Sequence, residues 1–139
     1  METVTIFTAG RSHGNPGPAA VGVYVVDDTD QVVLEYSSMI GNATDDFAAY
    51  QAVVEAFELV QQHFGAATKD MQFKLMLDNE FVKKQINSEA PVTDPRSVSH
   101  FIHVHNLQVE HFSQLSLVYL PHEQNLDVIK LVEATLDEQ

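Results

Sequence analysis

Residues 8–18 have the sequence Thr8-Ala9-Gly10-Arg11-Ser12-His13-Gly14-Asn15-Pro16-Gly17-Pro18. They follow a β-like run at residues 4–7 and precede a second one at residues 21–26. Runs rich in β-branched and aromatic residues, separated by Gly, Asn and Pro, predict two strands joined by an elaborate loop. Because Gly permits positive φ and Pro fixes φ, the loop is expected to have a defined shape, with little side chain covering its backbone.

The composition is that of an acidic domain without cysteine. Asp and Glu number 20 and Lys and Arg number 7, which gives a formal net charge of −13. Affinity for nucleic acid comes largely from Lys and Arg that displace counterions from phosphate, so this chain repels a polyanion unless its cations are clustered. A chain of 139 residues that is 45% hydrophobic suits a single domain spanning 1–139.

Several site classes and locations are excluded by what the sequence lacks. Without cysteine there are no disulfides, thiolate metal sites or cysteine nucleophiles, which fits a reducing compartment. No apolar run approaches the roughly 20 residues of a membrane span, and the start Met1-Glu2-Thr3 does not open a signal-peptide pattern. We therefore expect a cytoplasmic protein with no membrane partner.

The rest of the chain predicts an α/β domain with the element order βββαβααβα. The predicted strands are residues 3–9, 20–27, 31–38, 72–77 and 115–120. The first helix is expected to begin at the N-cap Thr44 and to end at Gly65. The other helices are predicted at residues 79–87, from a cap at Thr93 or Asp94 to about 111, and at 126–137. A meander followed by βα units predicts a five-stranded mixed sheet with helices on both faces.

Apolar residues at three- and four-residue spacing predict which face of each helix is buried. In the first helix this set is Phe47, Tyr50, Val53, Val54, Phe57, Val60 and Phe64. In the helix before the last strand it is Val98, Phe101, Ile102, His105 and Val109.

These features together resemble the ribonuclease H family of reverse transcriptase-like domains. The opening stretch is similar to that family's first strand and loop at Thr8, Gly10, Ser12 and residues 14–19. Further matching positions are residues 41–44, 50–52, 78, 82, 84–87, 121, 123–125 and 136–137. The resemblance covers nearly the whole chain and implies the ribonuclease H fold. It also implies an activity in which two divalent metal ions, held by carboxylates, hydrolyse the RNA strand of an RNA/DNA hybrid.

Three of the four carboxylate positions that the resemblance assigns carry apolar residues here. They are Ala9 at the end of the first strand, Ala49 in the first helix and Ile129 in the last helix, and only Asp78 is retained. Two Mg²⁺ ions about 4 Å apart repel each other and need concentrated negative charge from oxygen ligands. The sequence therefore predicts a pseudoenzyme that has lost two-metal hydrolysis, in which no cofactor is expected.

The positions that the resemblance associates with substrate are partly retained. Gly14 and Asn15 in the first loop and Lys84 in the second helix are candidates for nucleic-acid contacts. An asparagine pair of the family is replaced by Asp45 and Asp46, which removes donors and adds charge that phosphate disfavours. An RNA/DNA hybrid or another nucleic acid is accordingly expected to be a weak partner.

Three functional hypotheses follow from the sequence. The first is a non-catalytic nucleic-acid-binding or protein-interaction module. The second is a weak or relocated ribonuclease that uses Mg²⁺ or Mn²⁺ at Asp78 with Asp45 and Asp46. The third is a protein whose partner, or second copy in a homodimer, covers an apolar patch left by the three replaced acids. Against the second hypothesis, Asp78 is predicted to cap a helix, and the other two acids to complement a helix dipole.

Overall fold

The computed structural model describes residues 2–138, so Met1 and Gln139, the two ends of the predicted domain, lie outside the described residues. The strands are β1 (Thr3–Ser12), β2 (Gly17–Val26), β3 (Val32–Ala43), β4 (Gln72–Leu77) and β5 (Leu115–Tyr119). The α-helices are α1 (Asp45–Phe64), α2 (Glu80–Ile86), α3 (Pro95–His111) and α4 (Leu126–Asp137). Short 3₁₀ helices cover Gly65–Asp70 and His122–Gln124.

The five strands form one mixed sheet in the order β3-β2-β1-β4-β5. β2 pairs antiparallel with both β1 and β3, while β4 is parallel to β1 and to β5. The predicted α/β class, the five-stranded mixed sheet and the order βββαβααβα are confirmed. No helix within residues 2–138 combines the length and apolarity that a membrane crossing requires.

The first three strands are longer than the sequence predicted. β1 and β2 remain paired as far as Ser12 and Ala19, so residues 13–16 alone form the turn between them. The prediction of a loop over residues 8–18 is therefore wrong at both of its ends. The hydrogen-bond ladder of neighbouring strands overrides the weak strand propensity of Gly and Pro here, with Gly17 and Pro18 pairing against the end of β3.

Helices cover both faces of the sheet, as predicted, and each face has its own apolar core. Against α1 lie inward-facing residues of β1, β2 and β4, with Tyr50, Val53 and Phe57 fully buried. Against α4 lies a smaller cluster of Ala9, Ala20, Val128, Ile129, Val132 and Leu136. Gly10 lets α1 approach β1 closely, because a Cβ atom there would lie 2.1 Å from the backbone carbon of Ala48.

The predicted buried face of α3 is wrong. Val98, Ile102 and Val109 are 42%, 52% and 66% exposed, whereas Val104 is buried. Phe101 is the one predicted apolar residue that packs, partly buried, against the core. Apolar residues lie on both sides of this helix. Their spacing alone therefore did not distinguish the side that packs against the core from the side that faces solvent.

Candidate functional site

The four positions that the family resemblance assigns to carboxylates lie around the point where the pairing of β1 with β4 ends. These strands are parallel neighbours, and their pairing ends at Thr8 and Leu77, so Ala9 and Asp78 follow at the same edge of the sheet. The close packing of α1 on Gly10 brings Ala49 to this edge. Asn125, at the start of α4, donates from Nδ2 to the Thr8 carbonyl at 3.1 Å and so anchors that helix here.

The three apolar residues at this edge are buried. Ala9, Ala49 and Ile129 are only 2%, 5% and 8% exposed. Ala9 and Ile129 belong to the core under α4, and Ala49 belongs to the core under α1. The sequence-based hypothesis that these three residues leave an apolar patch for a partner is therefore wrong, because the two cores absorb their side chains.

Asp78 is paired with an arginine rather than left open to solvent. Arg11 donates from a terminal guanidinium nitrogen to Asp78 Oδ2 at 2.7 Å. The side chain of Asp78 is 3% exposed and that of Arg11 is 26% exposed. His122 Nδ1 lies 3.4 Å from the same Asp78 oxygen and also contacts the Arg11 guanidinium. The retained carboxylate thus lies in a cluster of Arg11, Asp78 and His122.

Burial and charge act in opposite directions on Asp78. Burial raises the pKa of its carboxyl above the ordinary value, and this is the largest effect. The Arg11 charge, the Arg11 hydrogen bond and a hydrogen bond from Asn125 oppose the rise in pKa. Arg11 supplies the positive charge that makes an ionised carboxylate tolerable at this depth.

Asp78 does not cap α2, which corrects the prediction from the sequence. Asn79 is the N-cap, and its Oδ1 accepts from the Val82 N–H at 3.0 Å. Asp78 precedes the cap by one residue, and its side chain is directed to Arg11 on β1. The residue directly after a strand and before a helix start can serve either role, and here the arginine provides the stronger, charge-assisted partner.

Asp45 and Asp46 also have partners of their own. Asp45 Oδ1 accepts from the backbone N–H of Ser12 at 2.9 Å and from its hydroxyl at 3.0 Å. Asp46 Oδ1 accepts from Asn79 Nδ2 at 2.8 Å. Among residues 2–138, the one group of His, Asp and Glu side chains whose ligand atoms converge is His13, Glu133 and Asp137. Within residues 2–138, the carboxylate oxygens of Asp45, Asp46 and Asp78 do not converge in one group, so the alternative metal site gains no support from this geometry.

A pair of divalent metal ions does not fit the four positions that the family resemblance assigns to carboxylates. The donor set at these positions consists of two alanines, one isoleucine and a single carboxylate that an arginine already holds. Mg²⁺ and Mn²⁺ require several oxygen ligands. Methyl groups offer none, and the guanidinium repels a cation.

A cleft of about 440 Å³ lies beside the start of α1, and one of the three predicted nucleic-acid contacts belongs to its lining. Asn15 lines it, and its Oδ1 accepts from the Asp45 N–H at 3.0 Å, which directs the amide group to the start of α1. Gly14 is exposed in the adjacent turn with a φ of +96°. Phe47 and Phe81, 38% and 52% exposed, form an aromatic part of the cleft lining. The cleft thus combines an amide with two aromatic faces.

The candidate Lys84 does not line this cleft. It is exposed on α2, and its Nζ lies 3.9 Å from Glu80, four residues earlier. Its neighbour Lys83 forms an ion pair with Glu89 at 2.6 Å. Each of the two lysines thus lies beside a glutamate.

Sequence reasoning missed the roles of Arg11 and His122. One feature of the sequence predicts the arginine: side chains two residues apart on a strand share a face, so Arg11 lies on the side of Ala9. Nothing local to His122 indicates its contact, because that contact depends on how the turn before α4 packs.

Comparisons with known proteins agree with the observed fold. Residues 7–135 match the family described as reverse transcriptase-like. Ribonuclease HI of Halobacterium salinarum is 31% identical over 132 residues, which are 93% of this chain and 62% of the relative. The chain therefore spans less than two thirds of that relative's length.

Two solved structures are similar over almost the entire chain. One is LC11-RNase H1, isolated from compost by a metagenomic approach, with 31% identity, a TM-score of 0.92, and coverage of 99% of this chain and 98% of the other. The second is LC11-RNase H1 in complex with an RNA/DNA hybrid, with 30% identity, a TM-score of 0.92 and 97% coverage of both chains. With sequence, topology and three-dimensional fold in agreement, the chain belongs to the ribonuclease H family.

Proposed function

We propose that this chain is a non-catalytic ribonuclease H-like domain, which has lost two-metal hydrolysis and acts by binding. The observation that carries the proposal is the 2.7 Å ion pair between Asp78 and Arg11, at an edge whose other three positions are Ala9, Ala49 and Ile129. In place of a cluster of acids that would attract cations, this edge has the one carboxylate of Asp78 and the guanidinium of Arg11.

The ion pair supports loss of catalysis more strongly than the missing acids do by themselves. A lone carboxylate could still hold one hydrated ion. Asp78 is instead buried and hydrogen-bonded to a guanidinium, so a metal ion would have to displace Arg11 and leave that cation without its partner. The Arg11 side chain is thus a stable substitute for metal at this position.

The cleft beside Asn15 supports a nucleic-acid partner for the same domain. Bases stack on exposed aromatic faces, and Phe47 and Phe81 present such faces in the cleft. A related protein, LC11-RNase H1, has been crystallised with an RNA/DNA hybrid. Asp45, Asp46 and the overall negative charge oppose phosphate, so we expect weak binding.

The experiment that tests the proposal is a cleavage and binding assay on one preparation. A labelled RNA/DNA hybrid is incubated with the wild-type chain and with Asp78→Asn, in Mg²⁺ and separately in Mn²⁺. We expect no cleavage above the protein-free background with either protein. Fluorescence anisotropy on the same hybrid, at low salt, is expected to show binding that Phe47→Ala and Phe81→Ala weaken.

Two outcomes would contradict the proposal in different ways. Cleavage that Asp78→Asn abolishes would show that catalysis persists and would revive the metal-dependent alternative. No binding to the hybrid at any salt concentration, together with oligomers that grow with protein concentration, would instead favour a protein-interaction module.

A further inference from the structure

We propose that His13, Glu133 and Asp137 form a binding site for a single first-row transition-metal ion, with Zn²⁺ as the preferred ion. One ligand atom from each residue lies within 4.8 Å of the other two. His13 Nε2 is 4.0 Å from Glu133 Oε2. Ligands about 2.1 Å from a tetrahedral zinc ion are roughly 3.4 Å apart, so small rotamer adjustments would close this group around an ion.

Two separate elements build the cluster. His13 lies in the turn of residues 13–16 between β1 and β2, and the two acids lie on α4. The backbone of His13 is held in place, since its N–H donates to the Pro18 carbonyl at 2.8 Å. A Cβ atom at Gly17 would lie 1.9 Å from the His13 carbonyl oxygen, so the turn packs tightly there. The imidazole is thus presented from a defined backbone position.

The acids of the cluster are placed where negative charge is unfavourable without a cation. Glu133 and Asp137 are four residues apart on one helix, a spacing at which like charges repel. They occupy the second half of α4, whose carboxyl end carries the negative end of the helix dipole. The last turn of α4 contains no basic residue. Within residues 2–138, the ion-pair contact of Glu133 is with His13. A dication would remove this repulsion.

The imidazole determines which ion the cluster would take. Mg²⁺ and Ca²⁺ prefer oxygen ligands alone, whereas one histidine with two carboxylates suits Zn²⁺ and other first-row dications. Water would complete the coordination shell, because all three side chains are partly or largely exposed. The cluster is therefore distinct in chemistry from the all-carboxylate site that the family resemblance implied at Asp78.

An ion in this position would join the β1–β2 turn to α4. The same turn carries Gly14 and Asn15, so the metal would position the residues that border the cleft. This inference does not rest on the proposed function. It concerns metal affinity and stability alone, and it holds whether or not the domain binds a hybrid.

The test uses the untagged full chain, stripped of metal with a chelator. Isothermal titration with Zn²⁺ is expected to give one equivalent, and Co²⁺ is expected to produce visible absorption bands from a protein-bound ion. Even outer-shell changes at metal sites weaken binding about 10–100-fold, so His13→Asn, Glu133→Gln and Asp137→Asn should each weaken it at least about tenfold. Zn²⁺ should also raise the melting temperature of the wild type and not of these variants.

The chain contains a matched control pair. His103 Nε2 lies 3.4 Å from Glu58 Oε1, and both side chains are about half exposed. His103→Asn and Glu58→Gln should leave Zn²⁺ affinity unchanged, and Mg²⁺ should not compete. Absence of stoichiometric Zn²⁺ uptake, equal uptake by the three cluster variants confirmed as folded by circular dichroism, or loss of uptake in the control variants would each overturn the inference.

Discussion

At the scale of single residues, the main feature is that the guanidinium of Arg11 provides the positive charge beside the buried carboxylate of Asp78. Arg11 and Asp78 are 67 positions apart in sequence and meet because β1 and β4 are parallel neighbours. An isolated carboxylate at 3% exposure would be strongly destabilising. The arginine and the three apolar residues Ala9, Ala49 and Ile129 act in the same direction, because the first neutralises the one buried carboxylate and the others add no charge to this edge of the sheet.

Arg11→Met is predicted to destabilise the fold through the charge that it leaves behind. Removing one partner of a buried ion pair costs roughly 3–5 kcal/mol, and the partial exposure of Arg11 places this loss near 3 kcal/mol. The double variant Arg11→Met/Asp78→Asn should recover much of the loss, since no uncompensated charge remains. Urea unfolding of both single variants and the double variant measures the coupling free energy.

The exposed pair Arg96–Asp94 provides the control for this prediction. Its side chains are 75% and 43% exposed at 2.9 Å separation. Arg96→Met should therefore cost less than about 1 kcal/mol. Equal effects at the two arginines would show that burial of Asp78 has no energetic importance.

Asp78 should also give the fold a characteristic dependence on pH. Burial raises the pKa of this carboxyl in the folded state, so the folded chain binds the proton more tightly than the unfolded chain does. The contribution of Asp78 to stability is therefore greatest at acid pH and decreases as pH rises through its folded-state pKa. Relative to Asp78→Asn, the wild type should lose free energy of unfolding as pH rises above the ordinary carboxyl range.

Removal of Arg11 should increase this shift, because the arginine opposes the effect of burial on the pKa of Asp78. Carbon-detected NMR titration of the Asp78 carboxyl in the wild type and in Arg11→Met would measure both values. A lower pKa in the variant would contradict the assignment of Arg11 as the compensating charge.

At the scale of elements, local sequence patterns predicted which helices and strands form, whereas tertiary contacts decided how long the strands are. The caps at Thr44 and Gly65 are where the sequence placed them, and Asp94 is one of the two caps it offered for α3, because a cap depends on residues within one turn. The lengths of β1, β2 and β3 were underestimated, because strand pairing continues through Gly and Pro when a neighbouring strand is present. The 3₁₀ helix at Gly65–Asp70 had no pattern that could predict it.

The candidate site shows the same division. The resemblance to the family assigned Ala9, Ala49, Asp78 and Ile129 to one site, and in the structure Ala9 and Asp78 directly follow the last paired residues of β1 and β4. The partners of Asp78 and of the acids in the first turn of α1 were not predictable, since they depend on which side chain reaches across a strand or a turn. Asp45 and Asp46 have the same charge and adjacent positions, yet they bond to Ser12 and Asn79, respectively.

The helix α3 offers a direct comparison between the face expected from spacing and the face observed. Val104→Ala should cost roughly 2 kcal/mol, because it removes buried methyl groups. Ile102→Lys, although it introduces a charge at a large apolar residue, should stay within about 0.5 kcal/mol, since the position is exposed. Thermal or urea unfolding distinguishes the two faces, and a larger loss at Ile102 would mean that another surface covers it.

At the scale of the whole molecule, four of the seven Lys and Arg residues lie beside carboxylates rather than together in one binding surface. Of the 7 Lys and Arg residues, Arg11, Lys83, Lys84 and Arg96 each lie within 4.0 Å of a carboxylate. Such pairs are spread over β1, α2 and α3. A domain organised in this way has few charges free to displace counterions from a phosphate backbone.

The salt dependence of hybrid binding is therefore predicted to be shallow even though the affinity is low. Each phosphate that a cation neutralises contributes about 0.9 to the slope of log K against log salt, so no more than two or three contacts should give a slope of about −2 to −3. Anisotropy titrations at several salt concentrations measure it. Asp45→Asn/Asp46→Asn should strengthen binding by removing repulsion while leaving the slope nearly unchanged, because no cation is added. A steep slope in the wild type would instead require a cluster of cations, in conflict with the pairing of Arg11, Lys83, Lys84 and Arg96 described above.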